Sequence, residues 1–376
     1  MQLKDGRHFS YCLNVHPGES LDDILRVLKH DIPGIKAALS PQAPFGLGLR
    51  IAHQASLTLR ASEAMAQLSA AIKAADAYAF TINGFPYGAF HQTRVKEQVY
   101  QPDWSFSARQ DYTQDIFFQL AMLLPEGTEG SVSTVPLGYK FDPDAPQKRA
   151  RMIQQLRELA TFLDFLEKDT GKRLHLGLEP EPDCILETTP ETIAFFEEEL
   201  LKDSPVSEEI LRRHIGICLD TCHVAMQFED PVESVIQLDQ AGILISKTQI
   251  SAAVECDASL DPEKLRAFDD GVYLHQLKST SGEAWRDLPH FFEAPPTQTG
   301  TLRIHAHVPM HWQGNEELHS TAHTLTPAFW HALARSSCQH LEVETYTFDV
   351  LPETIRQGHS IAEDMIEECR WVLDQL

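Results

Sequence analysis

Four apolar runs in the second half of the chain, LHLGLEPEPDC, IGICLDTCH, TLRIHAHVP and LEVETY, each carry acidic or imidazole side chains at or near their ends. Together they supply Glu179, Glu181, Asp220, His223, His305, His307, Glu342 and Glu344. A mixture of carboxylate and imidazole donors suits a divalent zinc, manganese or iron ion better than magnesium or calcium. Asp220 and His223 stand three apart where a strand breaks into a loop, so both reach one cluster. His305 and His307 are two apart in an extended segment, which turns both rings to the same side. In GLEPEP, Pro180 cannot extend a ladder, which favours Glu179 over Glu181 as the ligand. In LEVETY, Glu344 lies nearer the strand end than Glu342, which instead fits a low position in a barrel beside a buried partner. Gln249, in KTQIS, offers a neutral carbonyl oxygen at the end of another strand; a hydrogen-bonding barrel residue is the other reading. Any one of these residues alone has a plainer role, an Asp as a turn former or helix cap, a His as a satisfied core residue. Their joint placement at successive strand ends carries the metal reading, because parallel strands of a barrel deliver their last inward side chains to one rim.

Such convergence requires a closed parallel sheet, and the order of segments predicts one. Short runs rich in Val, Ile and Leu alternate with longer helical patterns, the signature of repeated βα units. Eight strand segments are read: FSYCLNVH, FGLGLRIA, AYAFTING, GSVSTVP, LHLGLEPE, IGICLDTCH, ILISKTQIS and LEVETYTF, with RIHAHVP as an extra extended piece between the last two. The expected fold is therefore α/β, a (β/α)8 barrel formed by residues 1–376 as one domain, with long loops at its C-terminal face. Ser20 with Asp23 forms a capping-box pattern. Thr189 and Asp230 precede Pro190 and Pro231, which suit the first helical position. QKRARMIQQLRELATFLDFLEKD predicts a long amphipathic helix, and EDMIEECRWVLDQL closes the last unit. Two stretches exceed simple connections, one from NGFPYGAFHQT through VYQPDWSFSARQD and one from about Ala253 to Gly300. Both are expected as binding loops or lids on the ligand rim. EAPPTQT reads as a rigid turn inside the second.

Composition narrows the partners. Of 376 residues, 43% are hydrophobic and 23% charged, the proportions of an ordinary globular protein. Asp and Glu outnumber Lys and Arg by 55 to 31, for a net charge of -24, which opposes binding to nucleic acid and leaves a small-molecule substrate as the expected partner. The longest apolar stretch, around Ile116 to Leu124, is too short to span a bilayer, so no direct membrane insertion is expected. MQLKDGRHFSYC lacks the apolar core of a secretion signal, and a cytoplasmic location is expected. Seven cysteines without paired CxxC spacing argue against disulfides or a zinc knuckle. Cys218 and Cys222 read as packing thiols.

The order Glu, Asp-x-x-His, polar strand end, His-x-His, Glu resembles the xylose isomerase-like, or sugar phosphate isomerase/epimerase, TIM-barrel superfamily, which also includes the endonuclease IV-type phosphodiesterases. The resemblance implies one or two divalent ions, with Glu179, Asp220, Gln249 and Glu344 forming a principal site and His223, His305 and His307 an adjacent one. Gln249 departs from the His or Asp that many members carry. Over most of the chain, YCLNVHPGES, FTINGFPYGAFH, VKEQVYQPDW, STVPLGYK, GLEPEPDC, CLDTCHVAMQFEDP, KTQISAA, HAHVP and LEVETYTFDVLP look like the EboE family of metabolite traffic proteins. That likeness implies a cytoplasmic barrel working with other proteins of a metabolite-export cluster on a small secondary metabolite or its precursor. The chemistry expected is metal-dependent isomerisation or epimerisation of a polyol-like molecule, with Glu179 and Glu344 as the acid/base pair. His16, Asn83 and Tyr87 are candidate substrate-orienting residues, with core or turn roles as the plainer reading. Phosphoester hydrolysis and non-catalytic carriage of a metabolite are the alternatives.

Overall fold

The computed structural model describes residues 1–91 and 94–376, so Gln92 and Thr93 of the first long loop lie outside the described residues. Eight of the apolar runs form parallel strands: β1 (His8–Tyr11), β2 (Phe45–Arg50), β3 (Ala77–Asn83), β4 (Gly130–Thr134), β5 (Leu174–Leu178), β6 (Ile215–Asp220), β7 (Ile245–Ile250) and, last in the chain, β13 (His340–Val343). Helices cover their outer faces, which is why strand after strand reads as buried along its length. The ladder runs β1-β13-β7-β6-β5-β4-β3-β2. Between β2 and β1 the seam closes through one bridge, Cys12 with Gly48. The Ser10 hydroxyl reinforces it, donating to the Gly46 carbonyl at 2.7 Å and accepting from the Gly48 N–H at 3.2 Å. Gly48 admits no side chain, because a Cβ there would lie 1.7 Å from Glu342 Oε1.

Expected helix starts largely hold. Ser20 and Asp23 form the capping box of Leu21–His30, and Asp230 caps Pro231–Gln240. Thr188 rather than Thr189 caps Thr189–Phe195, since its hydroxyl reaches the Glu191 N–H and leaves Pro190 one position further in. The long amphipathic segment is the 26-residue helix Ala145–Thr170, stopped by Gly171 in the left-handed conformation. No helix among the described residues is long and apolar enough to cross a membrane. All seven cysteines are free and buried.

The second long stretch is not a loop. Residues between β7 and β13 build a five-stranded antiparallel sheet in the order β10-β9-β11-β8-β12, from β8 (Val254–Asp257), β9 (Leu277–Ser279), β10 (Ala284–Trp285), β11 (Thr301–Ile304) and β12 (Leu318–Ser320). Strands of two to four residues have too short a pattern to stand out in sequence; they form because pairing satisfies their backbone groups. RIHAHVP supplies the last two residues of β11 and the extended chain that follows it.

Inside the barrel, the lower layer is polar rather than aliphatic. His8 bonds the Tyr78 hydroxyl, His175 the Ser246 hydroxyl and His340 the Ser131 hydroxyl, each at 2.7 to 2.8 Å. A register shift opposite Ser246 allows both Ser246 and Lys247 to face inward. Above this layer Lys247 Nζ lies 2.5 Å from Glu342 Oε2, both side chains fully buried. Burial alone would depress the ammonium, but Glu342 beside it raises its affinity for the proton above the ordinary lysine value. Glu342 thus takes the low, partnered position expected from its place in LEVETY. Lys247→Met would strand a buried carboxylate and is expected to lower the unfolding free energy by about 3–5 kcal/mol in urea titrations, whereas Lys247→Met with Glu342→Leu recovers much of that loss.

Candidate metal and catalytic site

Parallel pairing brings the ends of β5, β6, β7 and β13 to the same rim, with Asp220 opposite Gln249 and Gln249 opposite Glu342 in the ladder. Glu179 follows β5 directly, its N–H bound to the Thr134 carbonyl at 3.0 Å. Asp220 ends β6 and caps the short helix Thr221–Met226, with Oδ1 accepting from the His223 N–H at 3.0 Å and the Ser251 hydroxyl at 2.7 Å. The turn-forming and ligand readings of Asp220 are therefore compatible: one oxygen caps, while Oδ2 is buried without a partner. Glu344 follows β13, and its Oε1 accepts from three amides, Asn14 at 2.7 Å, Asn83 at 2.9 Å and Gln249 at 2.7 Å.

Ligand atoms of Glu179, Asp220 and Glu344 lie within 4.8 Å of one another, and so do those of Asp220, His223 and His307, and of Glu181, His223 and His305. Asp220 belongs to the first two groups and His223 to the last two, so the three are continuous. His305 Nδ1 faces Gln276 Oε1 at 2.7 Å and His307 Nδ1 faces the Glu344 carbonyl at 2.9 Å. Each acceptor fixes the proton on Nδ1 and leaves an Nε2 lone pair for the cluster. His305 Nε2 stands 3.1 Å from His223 Nε2, while His307 Nε2 has no partner. Glu181 accepts from the Tyr100 hydroxyl at 3.0 Å and faces the imidazoles.

Burial, then the neighbouring imidazoles, push His223 and His305 well below the ordinary histidine value; burial also lowers His307. Each shift favours the neutral imidazole, the form that metal ligation requires. Burial, reinforced by Asp220, raises Glu179 well above the usual carboxylate range. Burial and then Glu179 do the same to Glu344, and burial does so to Glu181. Buried oxygens on Glu179 and Asp220 and buried nitrogens on His223 and His307 are all without hydrogen-bond partners. Orphaned acceptors gathered from separate elements lack positive charge among them, and a divalent cation fits this donor set. The residues would hold one ion among Glu179, Asp220 and Glu344, and a second on the imidazole side of Asp220.

Of the residues anticipated from sequence, Glu179, Asp220, His223, His305, His307, Glu344 and Asn83 meet here. Gln249 reaches the site in a different role: its amide N–H donates to Glu344, and its carbonyl accepts from the Cys218 thiol at 2.9 Å. It positions Glu344 through its amide while its carbonyl meets Cys218. His16 and Tyr87 stand away from the cavity. β1 breaks after Tyr11 into the turn Leu13–Val15, which sends Asn14 to Glu344 and His16 to the Tyr11 hydroxyl at 2.9 Å, beside Arg50 in a separate cleft. Tyr87 stacks on His53 with centroids 4.3 Å apart and lies 5.6 Å from the Arg109 guanidinium, on the outer side of its loop. Sequence reasoning missed Asn14, Tyr100, Ser251 and Gln276, whose types are common and whose roles depend on partners far away in the chain. It favoured Glu179 over Glu181 and left Glu181 open, and it read Cys222 as a packing thiol; Glu181 lies with the imidazoles, and Cys222 is within reach of His305 and His307 with burial holding its thiol protonated.

A small cavity opens above the cluster. Its other wall is aromatic, with Phe85, Phe90, Tyr100, Tyr273 and Tyr346 supplied by both long stretches and by the segment after β13. The two stretches thus cover the rim, as their length implied. Lys96 lines the wall, but its ammonium is 2.7 Å from Asp287 Oδ2.

No protein-family model matches this sequence, and no curated protein matches it. Solved structures do. The chain is similar to a xylose isomerase-like TIM-barrel protein from Mycobacterium smegmatis in complex with magnesium, at 10% identity and a TM-score of 0.55, covering 98% of this chain and 96% of that one. It is also similar to the probable 3-DHS dehydratase AsbF of Bacillus anthracis, involved in petrobactin synthesis, at 14% identity and a TM-score of 0.51, covering 97% and 98%. At these identities the likeness concerns the fold, which is a xylose isomerase-like TIM barrel.

Because Asp220 is shared, Asp220→Asn is expected to remove bound metal more completely than Glu344→Gln or His307→Ala, as measured by elemental analysis of the purified proteins. A second consequence concerns pH. Glu179, Glu181 and Glu344 bind protons more tightly when folded than in the unfolded chain, so they favour the folded state most below the ordinary carboxylate value. That contribution is lost as pH rises through their raised folded values. Cation-free protein is expected to lose melting temperature as pH rises above the ordinary carboxylate value, and saturating zinc to flatten the slope.

Proposed function

We propose that this protein is a divalent-metal-dependent isomerase or epimerase of an uncharged, sugar-like or polyol-like hydroxycarbonyl molecule. The observation that carries this reading is the pair Glu179 and Glu344, buried carboxylates on strands three apart in the ladder, both with raised proton affinity and both facing one small cluster. A buried carboxylate whose proton affinity is raised holds a proton more firmly than an ordinary one, the property a proton-transferring group needs. Glu179, with a free oxygen, is suited to abstract the proton beside the carbonyl. Glu344, held by three amides, is suited to return one from its own side of the site. A divalent cation supplies the positive charge that stabilises the negative oxygen developing on the substrate. The aromatic wall excludes water and offers flat faces for the C–H edges of a sugar-like molecule. Pairing of Lys96 with Asp287 supports an uncharged substrate, since no free ammonium is left there for a phosphate.

The motif likeness to the EboE family supports a cytoplasmic setting beside other proteins of a metabolite-export cluster, with this chain converting the metabolite or its precursor. Phosphoester hydrolysis is a second reading, favoured by the two adjacent cation positions that share Asp220. Solvent deuterium exchange into a panel of ketoses and polyol ketones, read by mass spectrometry, tests the first. Label is expected at the carbon beside the carbonyl, with Glu179→Gln and Glu344→Gln reducing the rate by about 10²–10⁴-fold. Release of phosphate from sugar phosphates without label incorporation would favour hydrolysis. Neither outcome, with saturable binding of a panel member, would point to a carrier.

A further inference from the structure

A second set of ligating side chains gathers outside the cavity, where the segment carrying His305 and His307 turns back toward the C-terminal helix Ile361–Leu373. His311 Nε2 lies 3.6 Å from Glu367 Oε2 and 3.7 Å from Asp364 Oδ1, and His359 Nδ1 lies 3.9 Å from the same Glu367 oxygen. Ligand atoms of His311, His359 and Glu367 are all within 4.8 Å of one another. These separations are too long for hydrogen bonds. They approach the spacing of about 3.3 Å between donors that share a tetrahedral ion at 2.0–2.1 Å.

Asp364 lies beside this group, 1% exposed, with Oδ1 3.7 Å from His311 Nε2. Burial and the neighbouring Glu368, with which it shares a side-chain hydrogen bond, push its carboxyl up to about 10, so it stands as a protonated neighbour of the group. The Nδ1 atoms of His311 and His359 are buried and unpartnered. Behind Asp364, Glu368 accepts from the Met310 N–H at 2.8 Å and from the Thr345 hydroxyl at 2.9 Å. This carboxylate ties the His311 turn to the residue that follows Glu344.

We propose that His311, His359 and Glu367 form a zinc-class cation site, distinct from the rim cluster, that fastens the segment after β11 to the C-terminal helix. Two imidazoles with a carboxylate suit zinc or cobalt. Two chain segments distant in sequence meet there, so the role is structural. The site does not depend on the isomerase reading.

The test uses the full-length protein, stripped with a chelator and titrated with cobalt(II) by equilibrium dialysis and visible absorbance. His311→Ala with His359→Gln is expected to bind one cobalt fewer per chain than wild type, with an unchanged circular dichroism spectrum, and to lose part of the cation-induced gain in melting temperature. Asp220→Asn is expected to retain the cobalt that the double variant loses. Equal stoichiometry in wild type and the double variant overturns the proposal. If the double variant fails to fold, Glu367→Gln decides, because that side chain is 47% exposed on the helix surface. Cobalt affinity at the extra site falling at least about tenfold supports the site; unchanged affinity overturns it.

Discussion

Glu179, Asp220 and Glu344 are nearly shut off from water within 4.8 Å of one another, and the ammonium below them, Lys247, is already engaged by Glu342. Like charges so close in a low-dielectric interior cannot all ionise without positive charge between them. The carboxyls therefore retain protons or share a cation, and much of the surrounding structure follows from that constraint. Three amides converge on one Glu344 oxygen, and a serine hydroxyl and a backbone N–H converge on one Asp220 oxygen. Each arrangement satisfies one oxygen of a carboxylate and fixes the side chain in place. Preorganisation of this kind makes a site rather than a cluster of acids.

The imidazole side obeys a complementary rule. Histidines in a dry environment are neutral, and a neutral imidazole has one donor and one acceptor nitrogen. Gln276 and the Glu344 carbonyl occupy Nδ1 of His305 and His307, so the acceptor nitrogens turn toward Asp220 and His223. Glu344 faces the carboxylate cluster with its side chain and orients His307 through its backbone carbonyl. The antiparallel sheet is what makes this possible, since β11 carries the two histidines across the mouth from outside the barrel.

The lower barrel shows the same demand for pairing. Where aliphatic layers are the common filling, this barrel holds His8, His175 and His340 against hydroxyls and buries a lysine against a glutamate. Gly48 makes room for that glutamate at the seam, and Ser10 bridges the strands on either side of it. Polar interior groups therefore link closure of the barrel to the rim above.

Local patterning was enough to read all eight barrel strands, the long helix and the ligand-type strand ends, because hydrophobic period and residue chemistry are properties of neighbouring residues. It could also rank Glu344 above Glu342, since position along a strand sets depth in a barrel. Partnership between distant residues was not legible. Gln249 resembled a ligand until Glu344 and Cys218 occupied its two ends, and His16 resembled a rim residue until a turn two residues earlier rotated it away. The antiparallel sheet escaped notice because its strands are too short to carry a period. Sequence alone determined which side chains were available and at which strand ends; tertiary structure decided which oxygen or nitrogen of each remained unpaired, because that depends on contacts between residues as far apart in the chain as Asn14 and Glu344.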